Sequence, residues 1–341
     1  MIILSRLLDW IDPLQGSPRK RLRKVCADLE KLAGSHTELA QSHTELAQSH
    51  TELAQSHTEL GHKHALLSTE NAQQSEMRMQ MIDRYLSLLQ ACLTGSIYED
   101  PPLSVLGARE YDATLREYGW DWPSRAHTMI GQKRLANVRA LTESVIGNGI
   151  PGDLVETGVW RGGACILMRA VLEAYRVTDR RVWLADSFSG LPPPDEINFP
   201  ADTGDKFHTY TDLAVSLEEV KENFRRYSLL DDQVQFVQGW FRDTLPTFPA
   251  QQIALLRLDG DMYESTIIAL DSLYARVSTG GYVIVDDFHV VPACQQAVED
   301  FCQRLNISPV LEEIDGVGVY WKKTPALTSP ENDSTSGSAH E

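Results

Sequence analysis

Between about residues 153 and 321, short apolar, β-branched runs alternate with stretches of helical periodicity, which constrains the fold more than any other feature. Apolar runs without polar alternation are typical of parallel strands covered on both faces. The expected strands are Asp153–Glu156, Val182–Ala185, Val234–Val237, Ile253–Leu258, Tyr282–Val285 and Gly318–Trp321. The expected helices are Gly131–Ile146, Ala164–Tyr175, Leu217–Tyr227, Glu264–Tyr274 and Ala293–Arg304. This alternation predicts an α/β, doubly wound sheet whose last strand could be antiparallel.

Four aspartates follow two of these expected strands. Asp259 and Asp261 come after the fourth strand, and Asp286 and Asp287 come after the fifth. Ligands bind at the carboxyl ends of parallel strands, and carboxylates that converge there repel one another unless a cation neutralises them. An all-oxygen set suits Mg²⁺ rather than Zn²⁺. The simpler alternative is that Asp286 and Asp287 cap the next helix while Asp259 lies in a turn, but their joint appearance favours a metal site.

The first expected strand leads into a glycine-bearing turn and a helix start, DLVETGVWRGGACILM, where nucleotide-like cofactors bind. Trp160 stands where a second close-approach glycine would serve a pyrophosphate, so a dinucleotide is disfavoured. Glu156 could face the amine of S-adenosylmethionine, which carries no phosphate, and Asp186 could accept from its ribose hydroxyls. The expected cofactor-binding residues are Glu156, Thr157, Gly158, Val159, Trp160, Gly162, Asp186, Ser187, Gly239, Trp240, Phe241 and Asp243.

The N-terminal part has a period of seven, because SHTELAQ occurs three times in succession from Ser35 and then degenerates to SHTELGH. Such a period predicts a coiled coil, so residues 1–95 should form a helical segment that joins copies of the chain into a homo-oligomer. The d positions hold Leu39, Leu46, Leu53, Leu60 and Leu67, and the a positions hold His36, His43, His50, His57 and His64. The alternative is a loosely ordered spacer, since His, Ser and Thr are mediocre helix formers and Gly34 and Gly61 weaken a helix further.

The net charge indicates which partners the protein can bind, and the cysteines indicate the cellular compartment in which it works. The formal net charge is -17, which argues against nucleic acid or an acidic membrane surface as a partner. The five cysteines are scattered without a CxxC pair, which suits a reducing cytoplasm. No apolar run approaches the length of a spanning helix, so we expect a cytoplasmic protein without stable membrane insertion.

Several segments together resemble the macrocin O-methyltransferase family, the metal-dependent sugar O-methyltransferases of macrolide and aminocoumarin pathways. The resemblance runs from about Trp120 to Lys323 and includes DLVETGVWRGGACILMRAV, VWLADSFSGLP, LRLDGDMYEST and GGYVIVDDFH. It implies a Rossmann-like class I methyltransferase domain, which we place at residues 96–323. The remaining residues, 324–341, are rich in Ser, Thr, Asn and Pro and should be disordered.

The resemblance also implies the chemistry. S-adenosylmethionine would methylate a sugar hydroxyl of a glycosylated natural product or surface glycan. Mg²⁺ would be held by the residues that match Asp259, Asp286 and Asp287. Asp261 matches the family's candidate general base. The segment Asp121–Gly131 resembles the family's lid over the cofactor, and Asp195–Tyr210 resembles its substrate loop.

Other interpretations of the sequence stay open. His208 and His289 are rival candidates for the base, although a single histidine in a polar loop is more often a surface residue. A catechol-type O-methyltransferase would share the metal and cofactor geometry but would need an apolar slot for a flat ring. A coiled-coil scaffold with a vestigial methyltransferase domain would bind no cofactor.

Overall fold

The structure, a computed structural model, describes residues 17–104 and 110–325. It consists of two compact units, one ending at Met79 and the other beginning at Gln80. The proposed domain limits at residues 95 and 323 stay a prediction. Of the expected disordered tail, all but Thr324 and Pro325 lies outside the described residues. No helix in the described ranges is both long and apolar enough to cross a membrane.

The heptad repeats lie within one helix, α1 (Ser17–Leu93), of 77 residues. A helix of that length extends about 115 Å. Its repeats are regular, because the threonine at position b of each one donates a hydrogen bond of 2.9 Å to the carbonyl four residues earlier, as Thr44 does to Ala40. The expected helix is confirmed, and it includes Gly34 and Gly61 without a break. Its assembly into a coiled coil stays a prediction.

The second unit contains a seven-stranded sheet in the order β3-β2-β1-β4-β5-β7-β6. The first five strands pair in parallel, and β7 pairs with β5 in the antiparallel direction, as the sequence allowed. The strands are β1 (Asp153–Thr157), β2 (Val182–Asp186), β3 (Val234–Gln238), β4 (Ile253–Leu258), β5 (Val277–Val285), β6 (Glu312–Glu313) and β7 (Val319–Lys322). This arrangement confirms the expected doubly wound α/β fold.

Seven further helices connect these strands or precede them in the described residues. They are α2 (Ala113–Tyr118), α3 (Gly131–Gly147), α4 (Gly163–Tyr175), α5 (Leu217–Arg226), α6 (Phe241–Thr244), α7 (Tyr263–Leu273) and α8 (Pro292–Leu305). The short elements α2, α6 and β6 were not expected from the sequence. Strand β5 also begins five residues before its expected start at Tyr282, because its first part contains Gly280 and Gly281 and has no apolar run to mark it.

Both faces of the sheet are covered, so successive residues of a strand enter two different cores. Along β1, Leu154 packs in the cluster that contains α3, α4 and α5, whereas Val155 packs in the cluster that contains α7 and α8. Because both faces of these strands are buried, polar side chains can gather only at the ends of the strands. The carboxyl ends of β1, β2, β4 and β5 meet at one edge, and the candidate site lies there.

Candidate active site

A cavity of about 350 Å³ lies at the carboxyl edge of the sheet. Its wall combines residues that follow β1, β2, β3, β4 and β5, so the strand order alone brings them together. The aromatic part of the wall is formed by Trp120, Trp122, Trp160, Phe207, Trp240 and Phe241. A concave site that mixes aromatic surface with a few converging polar groups is typical of a small-molecule site.

Three of the four expected aspartates form one cluster. A carboxylate oxygen from each of Asp259, Asp286 and Asp287 lies within 4.8 Å of the others. Backbone hydrogen bonds position them, because the amide of Asp259 donates to Thr157 at 2.9 Å and that of Asp286 donates to Leu258 at 2.9 Å. Helix α8 begins only at Pro292 and has Val291 as its N-cap residue, without a side-chain cap. The alternative in which Asp286 and Asp287 cap this helix is therefore wrong.

Two buried arginines contact this cluster, and the sequence interpretation missed both. Arg257, in β4, donates to Glu156, to Asp286 and, at 2.8 Å, to Asp259. Arg134, in α3, donates to the other oxygen of Asp286 and also, at 3.0 Å, to Asp315. Both oxygens of Asp286 thus have a cationic partner.

The donor set fits a divalent cation. Five carboxyl groups surround the two guanidinium groups and outnumber them; they belong to Glu156, Asp259, Asp286, Asp287 and Asp315. One oxygen of Asp287, Oδ2, is buried and has no hydrogen-bond partner. Burial and the neighbouring carboxylates raise the pKa of Asp287 well above its ordinary value. An oxygen-coordinated cation would provide both the missing partner and the missing charge.

Asp261 lies on the wall of the same cavity. Its backbone has a φ of 56°, in the left-handed region that non-glycine residues adopt at a cost and often at functional sites. Burial, followed by the charges of Asp259 and Asp286, raises the pKa of Asp261 to about 8. A carboxyl group in this environment holds a proton more readily than an ordinary aspartate, which suits a group that accepts one.

The turn after β1 closes the other side of the cavity. A side chain at Gly158, where φ is 83°, would place its Cβ 1.6 Å from the carbonyl oxygen of Asp259, so only glycine fits. The carboxylate of Asp186 accepts from the amides of Val159 and Phe188, both at 2.7 Å, and thereby ties this turn to the end of β2. The carboxylate of Glu156 is buried between Arg257 and the thiol of Cys165, which donates to it at 2.8 Å.

Most of the expected cofactor residues share this cavity. Nine of them line it, namely Glu156, Gly158, Val159, Trp160, Asp186, Ser187, Gly239, Trp240 and Phe241. The other three, Thr157, Gly162 and Asp243, are described but do not belong to its wall. The rival bases His208 and His289 are exposed and also lie off the wall, whereas Asp261 lies on it. The roles of all these residues stay predictions.

The expected lid and the expected substrate loop both border the cavity. The segment Asp121–Gly131 contributes Trp122, Thr128, Met129 and Ile130 to the wall, and the segment Asp195–Tyr210 contributes Phe207. The second segment is anchored in its middle, since the buried side chain of Asp202 accepts from the amides of Tyr263 at 2.7 Å and Glu264 at 3.0 Å. Asp202 therefore satisfies free amides at the start of α7, two residues after Asp261.

Comparison with known proteins decides the family. A family model described as macrocin-O-methyltransferase matches residues 82–323. The chain belongs to the macrocin O-methyltransferase family. The solved structure of the O-methyltransferase NovP, 52% identical in sequence, superposes with a TM-score of 0.69 over 72% of this chain and 100% of that one. The Rossmann-like methyltransferase fold is thereby confirmed, with the long N-terminal helix as an extension.

Curated relatives agree with this membership. The demethyldecarbamoylnovobiocin O-methyltransferase of Streptomyces niveus is 53% identical over 244 residues, which cover 70% of this chain and 93% of that protein. The mycinamicin III 3''-O-methyltransferase of Micromonospora griseorubida is 46% identical over 248 residues, covering 71% and 97%. As a member of the macrocin O-methyltransferase family, this protein is an S-adenosylmethionine-dependent O-methyltransferase. The interpretation as a scaffold with a vestigial domain is therefore wrong.

Proposed function

We propose that this O-methyltransferase transfers the methyl group of S-adenosylmethionine to a sugar hydroxyl of a glycosylated natural product or surface glycan, and that the reaction requires Mg²⁺. The acidic cluster and Asp261 share one cavity with the turn after β1, and this observation carries the proposal. The names of the relatives support the acceptor class, since one acts on mycinamicin III and another on a rhamnosyl-tetracenomycin. A cytoplasmic location stays a prediction.

The chain's own residues would divide the work as follows. Asp259, Asp286 and Asp287 would hold the cation, and Arg257 and Arg134 would keep two of these carboxylates in place. A bound Mg²⁺ supplies charge that stabilises an alkoxide. The turn after β1, together with Glu156 and Asp186, would orient the methyl donor against the acceptor.

Asp261 would receive the proton of the reacting hydroxyl. The carbon–sulfur bond of the donor breaks as the oxygen–methyl bond forms, so the products are the methyl ether and S-adenosylhomocysteine. A sugar hydroxyl has a pKa far above 7, and a base beside the metal lowers the cost of removing its proton in the transition state. Burial and the neighbouring carboxylates raise the pKa of Asp261 to about 8 in the metal-free site, which supports its assignment as the group that receives the proton.

The test is a product assay by mass spectrometry with two acceptors, a deoxysugar glycoside carrying adjacent hydroxyls and a catechol. We expect an increase of one methyl group on the glycoside, loss of this product in EDTA, and recovery with Mg²⁺. Methylation of the catechol alone would contradict the acceptor class. Full activity in EDTA would contradict the metal, whatever the acceptor.

A further inference from the structure

The repeat segment of α1 carries a leucine stripe that no described residue covers. The d leucines from Leu39 to Leu60 are each between 67% and 71% exposed, although leucine is among the residues most often buried. They lie on one side of the helix at heptad spacing, and the a histidines lie beside them, also exposed. A stripe of this kind requires a partner that repeats every seven residues.

The chain outside the described ranges is too short to be that partner. From Leu22 to Leu67 the stripe covers 46 residues of helix, or about 69 Å. Residues 1–16 and residues 326–341 are sixteen residues each, fewer than the stripe contains, and neither segment includes the SHTELAQ repeat. A second copy of α1 matches the stripe in both length and period.

The charges beside the stripe allow self-association. Within the repeats position e is alanine and position g is serine, so no like charges oppose one another across a symmetric interface. The glutamates, such as Glu45, occupy position c, away from the seam. The flanking charges at position g are Asp28 before the repeats and Lys63 after them.

The histidines favour one orientation. In a parallel pair in register, each a histidine faces its own copy, so one neutral imidazole can donate a hydrogen bond to the other. In an antiparallel pair it would face a d leucine and lose that partner. The same register places the apolar positions Leu22, Val25, Leu29 and Leu32 against themselves rather than against the histidine-rich end.

We propose that the stripe from Leu22 to Leu67 is an interface that joins this chain to a second copy of itself, parallel and in register. The assembly would contain two methyltransferase units. The histidine layers would set its orientation, because the e and g positions of the repeats carry no charges to do so.

Sedimentation of the full chain at about pH 8, where ordinary histidines are neutral, tests the surface. We expect at least twice the 38.2 kDa of one chain. Replacing Leu39, Leu46, Leu53 and Leu60 with alanine, which keeps helix propensity, should lower the mass and the melting temperature of the helix. The matched control replaces Gln41, Gln48 and Gln55, at position f, with alanine and should change neither. A monomeric wild type, or equal behaviour of the two variants, would overturn the proposal.

Disulfide trapping tests the orientation. His50→Cys at position a should give a cross-linked pair under mild oxidation, because the two copies of that position face each other only when the helices are parallel and in register. In an antiparallel pair centred on the stripe, His50 would instead lie opposite Leu39. Gln48→Cys, on the outer face, should cross-link no more than the wild type. Equal cross-linking at the two positions would refute the parallel register.

A second inference comes from Arg257 and rests on the proposed metal site. This single guanidinium is fully buried and contacts acids that follow or end three neighbouring strands: Glu156, Asp259 and Asp286. Glu156 faces the cofactor side, and the two aspartates belong to the acidic cluster. Removing one partner from such a buried network leaves uncompensated charge. Arg257 therefore connects Glu156 with the acidic cluster.

We infer that Arg257 is a positioning residue that supplies part of the positive charge of the acidic cluster and aligns Asp259 and Asp286 for the cation. Without it, the cation must neutralise more charge. A variant without the guanidinium of Arg257 should therefore gain more stability from bound metal than the wild type does.

Thermal unfolding of the full chain in EDTA and in saturating Mg²⁺ measures this coupling. Arg257→Met should lower the midpoint by roughly 10 °C in EDTA and by about half as much in Mg²⁺. Arg257→Lys keeps the charge and should retain a larger part of the wild-type midpoint in EDTA. Arg116→Met removes a buried arginine paired with Asp121 outside the cavity, and should lower both midpoints equally.

The outcomes separate the two proposals. A wild-type midpoint that does not respond to Mg²⁺, together with no heat of Mg²⁺ binding, would contradict the metal site itself. A wild type that responds while Arg257→Met loses the same amount in both conditions would contradict only the role of Arg257.

Discussion

The heptad stripe of α1 and the acidic edge of the sheet both place titratable side chains where an apolar residue would be expected, but their surroundings are opposite. The a histidines occupy core positions of a repeat and are exposed, whereas Asp286 and Asp287 follow a buried strand and are themselves buried. The local sequence pattern determines whether a segment forms a helix or a strand. Whether the side chains of that segment are buried depends on which residues pack against it. In the sheet the same chain supplies that packing; in α1 the described chain does not.

Replacing the candidate base, Asp261, should lower turnover more than any other change, because we propose that the reaction takes place at the acidic edge of the sheet. Asp261→Asn should lower turnover by roughly 10²- to 10⁴-fold and leave formation of the complex with donor, metal and acceptor nearly intact, since a base acts mainly in the transition state. Turnover against pH, together with calorimetry of the complex, measures both. Wild-type turnover with an unchanged pH profile would place the base elsewhere.

Removing one negative charge from the acidic cluster should lower turnover almost as much as replacing Asp261. Asp259→Asn, Asp286→Asn or Asp287→Asn should each lower turnover by at least about 100-fold, while donor affinity stays close to that of the wild type, because the metal orients the acceptor. Steady-state kinetics and donor calorimetry test this split. As a control, Asp232→Asn changes an exposed aspartate in the turn before β3 that does not line the cavity. If donor binding fell as far as turnover, the cluster would belong to the cofactor site.

Low pH should affect the helix α1 and the methyltransferase unit differently. Charged imidazoles at successive a positions would repel one another across the proposed seam, so the assembly should lose stability in acid. We expect α1 to dissociate between about pH 7 and pH 5 while the methyltransferase unit stays folded. Light scattering and circular dichroism across this range follow the two events. A variant with His36, His43, His50 and His57 replaced by asparagine should lose the pH dependence; if it keeps it, the histidines are not responsible.

Inside the sheet, Glu156 should give a pH effect of the opposite sign. Burial, although opposed by Arg257, raises the pKa of this carboxyl from 4.5 to about 7. A raised folded-state pKa contributes stability below the unfolded value that is lost as the pH rises through the folded one. Metal-free wild type should therefore lose stability between about pH 4.5 and pH 7, and Glu156→Gln should flatten that slope by up to about 1.4 kcal/mol per pH unit. Urea unfolding in EDTA measures it, with the exposed Glu173→Gln as the control; equal slopes would contradict the prediction.

Replacing the glycines of α1 with alanine should give the smallest effect, and the same replacement at Gly158 should have the opposite sign. An added Cβ at Gly34 or Gly61 meets nothing within 4 Å, so alanine there should stabilise α1 by about 1 kcal/mol per site. At Gly158 the same change would clash with the backbone of Asp259 and should destabilise the second unit. Thermal melts followed at helix and aromatic wavelengths compare the two. A destabilised Gly34→Ala would mean that the helix is not continuous at that position.

The sequence predicted most of the sheet because β-branched runs mark strands that are buried on both faces. It also predicted that Asp259, Asp286 and Asp287 would meet, since strand ends of a parallel sheet converge. It could not supply the ion pairs, because Arg257 is 101 positions from Glu156 and Arg134 is 152 positions from Asp286. A signal for Arg257 was nevertheless present, since an arginine inside the apolar run IALLRL must find acidic partners when both faces of the strand are covered.

The anchoring of Asp202 at the start of α7 divides the expected substrate loop, Asp195–Tyr210, into two spans that can vary separately. Residues 195–201 and residues 203–210 each have one end fixed at the same two amides, those of Tyr263 and Glu264. The second span contributes Phe207 to the cavity wall, so an insertion there would reshape the wall while Asp261, which follows β4, stays in place. Under the proposed function, lengthening the second span would therefore change acceptor preference without moving the candidate base.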